Sequence, residues 1–138
     1  MNSDSVRIGT LLVGISLAAL GCSATAPALR RSQPVLQRRN FFLGQTLDDS
    51  HFHDLVWFNA DGTEMQQQDW KSPRQYMAWF LGGDAIGMRD PAGKKVIGDS
   101  LLIYLNASAN ELPVTLPGVE WGARWRVCLD TALALDGQ

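Results

Sequence analysis

Two histidines separated by one residue, His51 and His53, are the first side chains in this sequence whose types and spacing suit chemistry. On a strand, residues i and i+2 share a face, and Asp48, Asp49 and Asp54 stand close by, so a metal site is the reaction centre to test. A structural zinc commonly takes four ligands, often with cysteine among them. Neither Cys22 nor Cys128 is near in sequence. The pair therefore reads as part of an exposed polar loop, and no metal is expected. Asp61 and Glu64 resemble a carboxylate pair, but cleaving a glycosidic bond needs two carboxylates roughly 5–10 Å apart across a cleft. Asp61 is accounted for by the Asp61-Gly62 turn. No serine lies in a G-x-S-x-G context, and the two histidines share one loop, which makes a triad a poor fit. Gly82-Gly83 lacks the spacing and lysine of a phosphate-binding loop. The sequence thus predicts no catalytic residue and no cofactor.

What remains is aromatic. Of the five tryptophans, Trp70, Trp79 and Trp121 are candidates to stack on the flat face of a sugar or to meet a partner domain. Trp57 and Trp125 fit strand patterns and read as core. The arginines Arg30, Arg31, Arg38 and Arg39 form one basic cluster, read as a solvated stretch of helix. With a net charge of -2 the chain has no basic surplus for neutralising phosphates, so no nucleic-acid partner is expected. Two cysteines without a C-x-x-C make no disulfide framework, and free thiols are the expectation.

These residues need a scaffold. Apolar residues make up 46% and charged residues 19% of 138, a globular composition sized for one core. Strands are expected at Asp54–Asn59, Tyr76–Leu81, Leu101–Leu105, Leu112–Leu116 and Trp125–Asp130, separated by turn residues such as Asp61-Gly62 and Asp90-Pro91-Ala92-Gly93. Leu55 and Trp57 fall on one face of the first strand and Val56 and Phe58 on the other. Both faces are apolar, so something must cover each. The prolines in Leu112–Leu116 place that strand at an edge. In the last strand, Trp125, Val127 and Leu129 alternate against Arg126, Cys128 and Asp130. Residues 28–39 read as the tail of a helix broken by Pro34, and Met65–Trp70 as a short helical turn before Pro73. The expected fold is mainly β, an antiparallel β-sandwich with an N-terminal helical segment.

The apolar run from Ile8 to Gly21 is too short to cross a bilayer, which takes about 20 residues. It supports two readings: a secretory leader with Cys22 as the lipidated residue of a lipoprotein, or an apolar helix or foreign start, in which Gly9 and Gly14 would each cost about 1 kcal/mol. The membrane is a partner only under the first.

From residue 29 to 132 the sequence also resembles a family. Gln33-Pro34-Val35-Leu36, Arg38-Arg39-Asn40-Phe41-Phe42 and Gly44 are similar to the junction after the last barrel helix in bacterial glycogen-debranching enzymes, isoamylase-type members of the α-amylase family. Asp54-Leu55-Val56-Trp57-Phe58-Asn59, Asp61-Gly62-Thr63-Glu64-Met65 and Asp69-Trp70 follow in register. Asp99-Ser100-Leu101-Leu102-Ile103, Pro113-Val114-Thr115-Leu116-Pro117 and Trp125-Arg126-Val127-Cys128-Leu129-Asp130-Thr131 complete the order.

Three parts are expected: an apolar leader-like or helical segment over 1–27, where the family instead has a barrel, and then, as the resemblance implies, the end of a barrel-type helix and a linker over 28–45 and a C-terminal β-sandwich domain over 46–138. The resemblance implies a parent that hydrolyses α-1,6 branches of glycogen in the cytoplasm, with its catalytic acids on an upstream β/α barrel. This chain would be the non-catalytic domain that packs on that barrel. The leader reading implies instead an exported, lipid-anchored β-domain that binds glucan. A third expectation is a truncated product without function, since the family continues past Gln138 into at least one more strand. Arg74 stands where the family tends to place tryptophan.

Overall fold

The computed structural model describes residues 5–8 and 11–16 as backbone, and residues 26–47 and 49–131 in full. Its strands are β1 (Ser5–Ile8), β2 (Leu11–Ser16), β3 (Leu55–Phe58), β4 (Tyr76–Leu81), β5 (Ser100–Asn106), β6 (Leu112–Thr115) and β7 (Trp125–Asp130). One helix, α1 (Ala26–Ser32), is followed by a 3-10 turn at Pro34–Gln37. All five expected strands are present, and the fold is the expected antiparallel β-sandwich with one short helix near its start. Five strands pair in the order β3-β4-β5-β2-β7, and β1 pairs with β6 in a second sheet.

The N-terminal apolar run corrects the helical reading. Where one of the two readings places an apolar helix, Leu11–Ser16 runs extended between β5 and β7, antiparallel to both. β-branched Val13 and Ile15 favour that conformation, and Gly14, a cost in a helix, is tolerated there. Short apolar runs do not reveal by periodicity which of the two they will become. Cys22 and Asp48 lie outside the described residues, and so does the end of the apolar run.

The inner face of the five-stranded sheet is filled as the pattern of β3 requires, and the outer face in part. Val56, Phe58, Ala78, Phe80, Leu102 and Tyr104 point inward against Val114 of β6, with Phe52, Leu116, Trp121 and Trp125 closing the cluster. Each large side chain buried this way contributes about 1.5–3 kcal/mol. On the outer face, Leu29 of α1 and Val35 of the 3-10 turn cover Leu81, Leu101, Ile103 and Leu129. Cover stops there. Cross-strand pairs continue along the same face through Trp57 beside Trp79 to Met77 beside Leu105, and Met77 and Leu105 are exposed.

The alternation predicted for β7 fails midway. Val127 is 50% exposed while Cys128 and Leu129 are buried. The β2–β7 register shifts between Val13 and Gly14, so that Cys128 is the additional residue. An added residue reverses which face the remainder of a strand presents. Trp125 can therefore face the inner cluster while Leu129 faces the outer one. Cys128 is also disulfide-bonded rather than a free thiol, which corrects the expectation for it.

Linker and sheet are joined at a buried ion pair. The Arg38 guanidinium meets the Asp54 carboxylate at 2.8 Å, both side chains almost wholly buried. Asp54 also accepts the backbone N–H groups of Leu43, Gly44 and Gln45 at 2.7–3.1 Å. Arg38 donates to the carbonyls of Asn40, Phe41 and Ala85. Removing one member leaves a buried charge without its counter-ion. Arg38→Ala should lower unfolding free energy by about 3–5 kcal/mol, measured as a shift of the urea midpoint. Arg38→Met with Asp54→Leu should recover part of that loss.

Candidate functional site

The expected histidine pair does not converge. His51 donates its backbone N–H to Asp84 and its ring meets Phe52 edge-on, whereas His53 pairs its backbone with Thr46. Between them Phe52 enters the inner cluster. Among the described residues, no group of three His, Cys, Asp or Glu side chains is placed to hold a metal. The Asp61 carboxylate accepts from the N–H and hydroxyl of Thr63 at 3.0 and 2.6 Å, and these bonds hold its pKa below the ordinary value. Gly62 completes that turn at φ +86°, packed so close to the carbonyls of Thr115 and Leu116 that a side chain would collide with them. Asp61 thus caps a turn, and Glu64 bridges the end of β3 through its backbone.

The tryptophans are placed unequally. Trp121 is on the inner face, stacked on Phe52 and edge-on to Phe58 and Phe80 at 5.1–5.7 Å. Trp125 borders the same cluster. Trp57, Trp70 and Trp79 gather on the outer face, where Trp79 packs against the cluster that holds Leu29 of α1. Trp57 is 5.4 Å from Trp70 in an edge arrangement and 5.8 Å from Trp79. Trp57, expected as core, is only half-buried, because β3 is an edge strand and its outer side lacks cover at this point. Trp70 stands 52% exposed.

Together Trp57, Trp70, Met65, Arg74, Tyr76, Met77 and Leu105 form a groove of about 280 Å³. Among them Trp70 was the residue singled out by the sequence. The others belong to the site through the edge position of β3 and the lack of cover at the Met77–Leu105 end. Motif reading carries no signal for either.

Trp70 is held on a firm base. It sits in a 3-10 turn, Asp69–Lys71, before Pro73. The Asp69 carboxylate accepts from the Gln66 N–H at 2.7 Å and from the Asn59 side-chain amide at 3.1 Å. Arg74 closes the circuit, donating to the Asp69 carbonyl at 2.6 Å and to the Asn59 side chain at 3.2 Å. Its guanidinium lies 5.3 Å from the centre of the Tyr76 ring, whose hydroxyl accepts from the Ala60 N–H. The groove is therefore a fixed aromatic platform with a polar surround. It can hold a ligand by stacking and hydrogen bonding, and it contains no pair of acids facing a cleft.

A second exposed apolar surface lies at the other end of the sheet, on the linker. Phe41 is 92% exposed, and Phe42 and Leu43 are exposed beside it. Arg38 covers one ring face of Phe42 at 4.4 Å. The two surfaces share no residue. From Leu81, beside the linker, to Met77, in the groove, is four strand residues, or roughly 13 Å.

By class this is a mainly β, antiparallel domain with exposed apolar surfaces. The chain belongs to the isoamylase C-terminal family: the sequence model described as "Isoamylase, C-terminal" matches residues 54–138. Proteins from two Mycobacterium tuberculosis strains (H37Rv and CDC 1551) and one from Mycobacterium bovis, each named glycogen operon protein GlgX homolog, are 32% identical over 114 residues. That match covers 81% of this chain and 16% of each relative. It is too long to fit within residues 54–138, so it reaches back into the linker.

The turn beneath Trp70 depends on ionised Asp69. Its two accepted hydrogen bonds lower the carboxyl pKa below the ordinary 3.8. A lowered pKa contributes stability above the ordinary value and loses it as pH falls through the folded one. The Trp70 indole N–H signal in NMR spectra should stay constant from pH 7 down to about 4 and shift below that. In Asp69→Asn the acid step should be absent.

Proposed function

We propose that this chain is the non-catalytic C-terminal β-domain of a glycogen-debranching α-1,6-glucosidase and packs against that enzyme's catalytic barrel through the linker. The supporting observation is the exposed Phe41-Phe42-Leu43 stretch, fixed to the sheet by Arg38 and Asp54. Apolar residues held out in water by a buried ion pair suit an interface that something else completes. The stretch also lies in the part of the chain where the match to the GlgX homologs extends ahead of residue 54. Glycogen appears in the name of those relatives, and the chain spans about a sixth of their length. Catalysis on this reading belongs to the upstream region, and the location to the cytoplasm.

The purified chain should release no reducing ends from glycogen. Mixed with the upstream part of a GlgX homolog, it should form a complex and restore branch cleavage. Phe41→Ser with Leu43→Ser should weaken that complex at least about tenfold, as loss of an aromatic anchor does. Branch cleavage by the chain alone, or absence of a complex with the upstream part, overturns the reading.

One observation favours a second reading, in which the β-domain is exported. Disulfides persist in oxidising compartments and are rare in the cytosol, and Cys128 is disulfide-bonded. Thiol alkylation in cells before and after reduction separates the two. Labelling of Cys128 in denatured protein without reductant supports the cytoplasm, and labelling only after reduction supports export.

A further inference from the structure

The groove at the open end of the outer face has no role in the reading above, since the linker at the opposite end supplies the docking surface. Its chemistry is specific. A tryptophan left 52% exposed forfeits much of the stabilisation its burial would give. Here the exposed ring is braced edge-on by Trp57 and stands on a turn locked by Asp69, Asn59 and Arg74. Rigid presentation lowers the ordering cost of binding.

A pyranose ring offers complementary surfaces: an apolar face of C–H bonds that lies flat on an indole, and a hydroxyl rim that needs polar neighbours. Trp70, Met77 and Leu105 supply the apolar floor. Ser72 and Gln75, both exposed, supply the polar rim. The volume of about 280 Å³ is at the small end of ligand sites, which run from roughly 300 to 1,000 Å³. It suits a short piece of a sugar chain.

We propose that this groove is a binding subsite for a short α-1,4-linked glucan segment, holding polysaccharide at a distance from any reaction centre. The ligand class rests on the reading that the chain serves a glycogen-acting enzyme. The stacking geometry does not.

The test is an NMR titration of the intact 15N-labelled chain with maltotetraose, with cellotetraose as the control, following the tryptophan indole N–H signals. Saturable shifts are expected at Trp70 and Trp57 with maltotetraose, and none at Trp121. Trp70→Ala should weaken binding about tenfold or more, on the scale of a lost aromatic anchor, while Phe41→Ser should leave it unchanged. Absence of saturable shifts up to about 10 mM, past the millimolar range of a weak subsite, overturns the proposal without the need for a variant. Equal shifts with cellotetraose also overturn it. If the groove signals respond instead to the upstream part of a GlgX homolog, the groove is a docking face and the proposal falls while the accessory-domain reading stands. Maltotetraose binding by a chain that forms no complex with that part sinks the domain reading alone.

Discussion

A buried charge pair decides where the linker meets the sheet. Asp54 sits at the start of β3 and receives Arg38 together with three consecutive backbone N–H groups. Such a pair is weak evidence for stability in itself, because desolvating both charges offsets most of their attraction. What it confers is position. The linker is fixed against the Leu55–Leu81 end of the sheet, which sets α1 over one half of the outer face and leaves the other half open. The exposed linker residues and the aromatic groove both follow from that placement.

Most of the sheet was readable from residue type. β3, β4 and β5 are runs of aromatic and branched side chains bounded by turn formers, and the cover expected on both faces of β3 is complete inside but stops at Leu55 outside. The short turn before Pro73 was readable as well. The rest depended on partners distant in sequence. The β-character of Leu11–Ser16 is set by β5 and β7 on either side, and nothing within the run announces them. The outward turn of Leu129 follows from a register shift against β2, and its own strand reads as simple alternation.

The candidate site was legible only at Trp70. A residue's type shows that it can stack on a sugar, whereas its exposure depends on where the sheet ends. Trp57 and Trp121 show the difference. The strand pattern assigns Trp57 to the core, yet the edge position of β3 leaves it half open. Trp121, in a loop, is drawn inward among three phenylalanines. The network of Asp69, Asn59 and Arg74 was invisible as well, since its members come from separate segments that only the fold brings together.

The position of β2 carries a consequence for assembly. The second strand of the chain lies between the fifth and the seventh, with Val13 facing Ile103 on one side and Leu129 on the other. During synthesis this segment leaves the ribosome before either of its neighbours and must wait, unpaired and oily, until β7 has followed. Pairings this distant along the chain are slow to close, and an idle apolar strand can meanwhile adhere to whatever passes. The molecule's most vulnerable moment should come before its last neighbour arrives, a trait set by the order in which its strands are threaded.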